Sequence, residues 1–207
     1  MPSKKVKVCI LDYGSGNVKS VFNILTYLGY EAKISNSKSE INESSHIVLP
    51  GVGSFKASME KIKKKISLDT LYKEIMVFEK PFLGICVGMQ VLMEKGFEDG
   101  ENSGLGWFKG EVKKLEVEKS PLPHIGWNDI EIKSESLILD GIKNLSSFYF
   151  VHSFAVDTNS SNILTTTTYE NSFCSAIAKK NIFGVQFHPE KSQKAGQKLL
   201  KNFCSLL

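Results

Sequence analysis

One local pattern limits the fold more than any other feature of the chain. A short apolar run stops at a glycine-containing turn, and a helix-like pattern follows. "VKVCILDYG" (residues 6–14) is nearly continuous, rich in β-branched residues, and closed by Asp and Gly. "HIVLPGVGSF" (46–55) and "PFLGIC" (81–86) repeat the form. Runs without polar alternation suit strands buried on both faces, the situation of a parallel sheet. After the first run, Val18, Val21, Phe22, Leu25 and Leu28 recur at helical spacing, and Gly29 is a natural stop. Residues 56–79 read as a helix, with Met59, Ile62, Ile66, Leu71, Ile75 and Phe78 as candidate core positions. "GMQVLMEKG" reads as the helix after the third run. The alternation predicts an α/β fold with a mostly parallel central sheet and flanking helices.

Beyond about Gly100 the texture changes. "GLGWFKGEVKKLEV", "IGWNDIEI", "SFYFVHSFAV" and "NILTTTTYE" are strand-like and partly alternating, which predicts additional antiparallel strands in the C-terminal half. "FCSAIAKKNIFGVQFH" reads as a hairpin turning at "KKN", and "KAGQKLLKNFCSLL" as a final helix. No long Gly/Ser-rich linker and no repeat divides the chain. A length of 207 residues with 42% hydrophobic content suits one domain spanning 1–207.

Charge narrows the function. The net charge is +4, and every one of the 26 basic residues is lysine. A chain without arginine lacks the commonest means of reading guanine, so no nucleic-acid partner is expected. "KIKKK" (61–65) has no interleaved aromatics and reads as a solvated helix face. Cys9, Cys86, Cys174 and Cys204 show no C-x-x-C spacing, and no metal site is expected. "DYGSGN" contains G-x-G but not the full dinucleotide fingerprint, and no cofactor is expected. The N-terminal apolar run is too short for a signal segment and no run reaches the ~18 residues of a membrane span. The expectation is a cytoplasmic protein with no membrane partner.

"GICVG" (84–88) has the form of a nucleophile elbow with Cys86 in the place of serine. The tight corner predicts an exposed sulfur at a helix N-terminus, where the dipole favours thiolate. The competing reading is an inert buried cysteine. A thiolate needs a proton shuttle, and "FGVQFHPEKS" supplies one: an apolar strand running into His188, Pro189 and Glu190. If the segment stays extended, His188 and Glu190 point to one side, and Glu190 orients the imidazole. The competing reading is a strand-end histidine bonded to backbone. "LPGVGSF" and the N–H of Val87 offer backbone donors for an oxyanion, or else an ordinary β-to-α turn.

"GICVGMQ", "PGVG" and "HPE", in this order and spacing, resemble the class I glutamine amidotransferases. "DYGSGN", "PHIGWN" (123–128), "YFVHSF" (149–154) and "GVQFHPEKS" (184–192) are similar to the glutaminase subunits of imidazole glycerol phosphate synthase, in histidine biosynthesis. The resemblance covers almost the whole chain and implies a single-domain class I glutamine amidotransferase-like fold. It implies that Cys86 attacks glutamine, that His188 moves protons, and that Glu190 orients His188. It implies an oxyanion hole at Gly51, Val52 and Gly53, joined by Val87. Gln90, Ser153 and Phe154 match substrate contacts. Asn17, Tyr149 and Lys191 match positions near a (βα)8-barrel cyclase partner, which receives the ammonia in a heterodimer. Phe154, where the family often has Tyr, and Gln193, where it often has Gly, depart from the pattern on the substrate and partner sides. An amidotransferase paralogue serving a sugar-modifying synthase, a hydrolase of other γ-glutamyl compounds and a non-catalytic scaffold are the alternatives.

Overall fold

The three apolar runs lie side by side, in parallel. A computed structural model describes residues 6–159 and 161–206. In it β1 (Lys7–Leu11) is flanked by β2 (Glu31–Ser35) and β3 (His46–Gly51), and β3 pairs with β4 (Phe82–Cys86). Every residue of β3 and β4 is buried, as is all of β1 but Lys7. This burial on both faces is why these runs lack polar alternation.

Past Cys86 the chain adds β5 (Met93–Gly96), β6 (Asn102–Ser103), β7 (Phe108–Lys114), β8 (His124–Asp129) and β9 (Glu131–Ile132). There follow β10 (Ser147–His152), β11 (Phe154–Asp157), β12 (Ile163–Tyr169), β13 (Asn171–Lys179) and β14 (Ile182–Val185). The main sheet runs β2-β1-β3-β4-β14-β13-β11-β7-β5-β6, with β12 on β13 and β9 on β12. Strand β14 returns in parallel beside β4, with Val185 opposite Ile85. That adjacency brings the end of the second half of the chain to Cys86. The expected hairpin joins β13 to β14 through Lys180 and Asn181. The final helix is Gln193–Cys204 and the first is Val18–Tyr27, ending before Gly29 at φ 90°.

Two helix expectations are corrected. Residues 56–79 are not one helix: Phe55–Lys65 ends at Ile66, which is extended, and a second helix, Leu68–Tyr72, passes into a wide turn at Lys73–Val77. Lys63–Lys65 suit a helix C-terminus and Ser67 and Asp69 suit a start, so local preference breaks the element. The apolar rhythm continues across the break because both pieces face the sheet. Met59, Ile62, Ile66, Leu71 and Ile75 are buried, but Phe78 is 57% exposed. The second correction concerns "GMQVLMEKG". Its helix is the single turn Val87–Gln90, and Met93–Gly96 is strand β5. Every side chain from Val87 to Met93 is buried, so no polar face exists on which an amphipathic helix could continue.

Strands β8 and β10 form a separate antiparallel ribbon. Its inner face carries His124, which stacks on Tyr169 at 4.1 Å between ring centroids. His124 Nδ1 lies 3.2 Å from His152 Nε2, and His152 Nδ1 lies 2.9 Å from the Phe154 carbonyl. The geometry sets both tautomers: His152 donates from Nδ1 to Phe154, and His124 donates from Nδ1 to His152.

This burial predicts acid lability. Burial pulls His46, His124 and His152 below the ordinary histidine range, His152 to about 3. The unfolded chain takes up these protons below about pH 6.5 while the folded chain does not, so stability falls as pH drops from there toward 3. His188 moves the other way, since Cys86 and Glu190 outweigh burial, and its influence lies above pH 6.5. The unfolding free energy from urea titration should fall between about pH 7 and about pH 5, by up to ~1.4 kcal/mol per pH unit per histidine, and the midpoint with it. His152→Gln should show a shallower loss. Equal midpoints at the two pH values would contradict this account.

Candidate active site

Cys86 ends β4 with φ 55° and ψ −114°, a region that strains any residue bearing a Cβ by about 1–3 kcal/mol. The strain is tolerated because backbone packs directly on backbone around it. A Cβ on Gly88 would overlap the Leu49 carbonyl oxygen, and one on Gly84 would overlap the Gly88 carbonyl. The turn is therefore an elbow, as expected. The expectation of an exposed sulfur is corrected: Cys86 is 3% exposed and is reached through a cavity of about 230 Å³. The helix that follows is one turn long, too short for a developed dipole.

His188 lines the same cavity. The segment after it is not extended; Pro189–Lys191 forms a 3₁₀ turn. The turn is pinned by Ser192, whose hydroxyl donates to the His188 carbonyl at 2.6 Å and accepts from the Tyr149 N–H at 3.0 Å. His188 and Glu190 still meet: Nδ1 lies 2.8 Å from Glu190 Oε1, with both side chains 1% exposed. Asn17 Nδ2 donates to the same oxygen at 3.2 Å. Gly16 makes this reach possible, since a Cβ there would sit 2.7 Å from the Pro50 carbonyl oxygen. The DYGSGN loop thus packs onto the PGVG loop.

With Nδ1–H turned to the carboxylate, Nε2 is the proton acceptor on the cavity side. It is buried with no hydrogen-bond partner. Burial opposes a charged ring, but Cys86 and Glu190 outweigh it and raise the His188 pKa, so the ring is a ready acceptor for the thiol proton. No hydrogen bond closes between Nε2 and the sulfur in this state. Cys86 Sγ instead donates to the Val151 carbonyl at 3.9 Å and accepts from Gln186 Nε2 at 3.6 Å. Such loose contacts are usual before substrate tightens a site.

The cavity collects most of the remaining candidates. Val52, Gly53, Val87, Gln90, Ser153 and Phe154 line it. Gly51 lies one residue behind, opposite Cys86 in the β3–β4 register and against Gly88. Gln90 Nε2 donates to the Phe154 carbonyl at 2.9 Å and to Gln186 Oε1 at 3.0 Å. Both its N–H groups are engaged, which leaves its oxygen for a ligand's ammonium. Tyr149 and Lys191 do not line the cavity but meet each other, with Nζ 5.5 Å from the ring centroid.

Three participants have no role in the sequence reading, although His152 lies in "YFVHSF" and Gln186 in "GVQFHPEKS". Among the described residues Glu98 is the one carboxylate in the cavity's walls; its Oε2 accepts the Phe55 N–H at 2.8 Å, and burial raises its pKa against that bond. In the sequence it stands in "FEDG", which reads only as a turn. His152 lines the cavity and holds the Phe154 carbonyl. Gln186 is fully buried beside the sulfur, and its signal was a lone amide inside an apolar strand run, "GVQF".

The chain is similar to known proteins. The family model for glutamine amidotransferase class-I matches residues 9–206. Imidazole glycerol phosphate synthase subunit HisH of Pelagibacter ubique is 42% identical over 97% of this chain and 100% of its own. The subunit HisH of Aquifex aeolicus is 44% identical over 96% of each chain. Subunit HisH 2 of Pseudomonas aeruginosa is 41% identical over 97% of this chain and 100% of its own. Among solved structures, a glutamine amidotransferase from Thermotoga maritima superposes with a TM-score of 0.65 at 18% identity, covering 97% of this chain and 83% of that one. PurLQS from Thermotoga maritima gives a TM-score of 0.71 at 16% identity, covering 97% and 98%. At such identities these structures speak for the fold alone. The chain belongs to the class-I glutamine amidotransferase family, beside imidazole glycerol phosphate synthase HisH proteins that match it over nearly its whole length.

Proposed function

We propose that this chain is the cytoplasmic glutaminase subunit of an imidazole glycerol phosphate synthase. It hydrolyses glutamine to glutamate and ammonia through Cys86, His188 and Glu190. The ammonia passes to a (βα)8-barrel cyclase, which makes imidazole glycerol phosphate and AICAR. The observation that carries the reading is the buried His188–Glu190 pair, 2.8 Å apart, whose histidine shares a cavity with the strained Cys86.

The chemistry follows from the geometry. His188 Nε2 takes the thiol proton as Sγ attacks the carboxamide carbon. Glu190 stabilises the resulting imidazolium and keeps Nδ1 protonated. Backbone N–H groups of the Val52–Gly53 segment and of Val87 receive the developing oxyanion. His188 then returns the proton to the nitrogen as the C–N bond breaks, so that ammonia departs and a γ-glutamyl thioester remains on Cys86. Water attacks that thioester with His188 as base, glutamate departs, and the thiol is restored. At the far end of the substrate, Glu98 and the free oxygen of Gln90 receive the α-ammonium. Backbone of Ser153 and Phe154 supports the same end.

The partner face is supported by exposed side chains on the ribbon beside the triad. Ile125 and Trp127 are 60% and 48% exposed, next to Tyr149 and Lys191. Asn17 lies just behind, on Glu190. A second reading keeps the chemistry and changes the acceptor to an amino sugar of surface polysaccharide synthesis. The numbered name HisH 2 among the relatives favours testing it, since a number marks one of several copies.

With its barrel partner assembled, Cys86→Ala should lose glutamine-dependent product formation while added ammonium salts still support it. Loss of both activities in an intact complex would give Cys86 another role. Presenting the complex with the histidine-pathway intermediate or with an amino sugar decides the acceptor. Glu98→Gln keeps the acceptor for the Phe55 N–H but removes the countercharge. It should raise KM for glutamine roughly ten- to a hundredfold, with kcat changed far less. An unchanged KM would remove Glu98 from the ammonium site.

A further inference from the structure

We propose that Gln186 is a further catalytic group, whose amide N–H stabilises the Cys86 thiolate. The proposal rests on Cys86 being the nucleophile and names a donor to its anion outside the triad.

Gln186 follows the apolar strand β14 directly, and its side chain is completely buried. A buried amide there needs partners, and it has two. Its oxygen accepts from Gln90 Nε2 at 3.0 Å, and its nitrogen donates to Cys86 Sγ at 3.6 Å. The orientation is not free. Gln90 spends its other N–H on the Phe154 carbonyl, so it presents a donor to Gln186. Gln186 must answer with its oxygen, which leaves its N–H for the sulfur. Turning the amide over would set donor against donor and oxygen against thiolate.

The contact gains strength when the proton moves. In the thiol, Sγ donates to the Val151 carbonyl at 3.9 Å. Once His188 holds that proton, the Val151 oxygen faces an anion and disfavours it. Gln186 then supplies a donor to a charged sulfur, and charge-assisted bonds are roughly twice as strong as neutral ones. The site is enclosed, so water competes little. No bond to carbon forms or breaks at Gln186, and it exchanges no proton.

The test is the pH dependence of Cys86 alkylation by iodoacetamide on the full chain, followed by peptide mass spectrometry. Cys9, Cys174 and Cys204 are buried, with pKa values pushed up to about 12 by burial, so they do not interfere. Gln186→Met removes the donor with little change in shape. It should raise the alkylation midpoint by about one pH unit or more and lower kcat about tenfold or more. Gln186→Glu keeps an acceptor for Gln90 and replaces the donor with a carboxylate; its midpoint should rise further. Gln90→Met, which removes the donor that orients the Gln186 amide, should raise KM for glutamine and raise the midpoint by less than Gln186→Met does. Profiles of both Gln186 variants that overlay the parent's would overturn the proposal, and Gln186→Glu decides alone if Gln186→Met does not fold. Glutaminase turnover surviving in Cys86→Ala would overturn the nucleophile assignment instead, a result read independently of the alkylation profiles.

Discussion

The contact between the backbones of β3 and the elbow is the constraint from which the site follows. Gly88 rests on the Leu49 carbonyl, and Gly51 lies against the Gly88 amide, with no room for a Cβ at either. Because the layers meet at backbone distance, Cys86 is forced through a left-handed conformation instead of continuing the strand. The same closeness sets Gly51 opposite Cys86 in the parallel register. The Val52–Gly53 turn then opens beside the sulfur, where backbone donors are useful. The strain of ~1–3 kcal/mol is local. It is offset by the burial of Ile85, Val87 and Met89, each worth about 1.5–3 kcal/mol when fully removed from water.

Around this apolar centre lies a chain of buried polar groups, and each link limits the next. His124 donates to His152, His152 to the Phe154 carbonyl, and Gln90 to that carbonyl and to Gln186. Such groups are tolerated inside a protein only when satisfied, because an orphaned one costs ~1–3 kcal/mol. The network therefore behaves as a unit. It ties the β8–β10 ribbon, with Ile125 and Trp127 on its outer face, to the strand end beneath the substrate cavity. A load on the outer face of the ribbon has a route of directional bonds to Cys86.

The sequence made the scaffold readable where periodicity and stop signals agree. Strands β1, β3 and β4 announce themselves by unbroken apolar runs ending in glycine or at the elbow, and the Lys180–Asn181 hairpin by its turn. Reading failed where two structures share one pattern. The apolar rhythm of 56–79 runs through the break at Ile66, and the fully buried stretch Val87–Met93 fits a helix as well as a turn and a strand. In the site, Cys86, His188 and Glu190 carry motifs of their own. Their meeting depends on β14 pairing with β4, an adjacency no local pattern records. Glu98 and Gln186 escaped because each looks ordinary in its own neighbourhood. One sits in a polar turn, the other in a strand that conceals a single amide.

The resting site is not at rest energetically. Among the described residues, His188 Nε2 and Glu190 Oε2 are buried without hydrogen-bond partners, within a triad that is otherwise well tied. Each unsatisfied group costs ~1–3 kcal/mol, which the rest of the fold offsets. In the proposed mechanism, a permanent donor on Nε2 would occupy the lone pair that accepts the thiol proton and later the proton of water. The open lone pair on Nε2 is thus the same feature as its basicity. Glu190 differs: one oxygen is held by both His188 and Asn17, and that shared grip resists rotation of the ring while its charge changes. The site keeps rigidity on the Nδ1 side and leaves Nε2 unsatisfied, which is the asymmetry a proton shuttle between sulfur, amine and water requires.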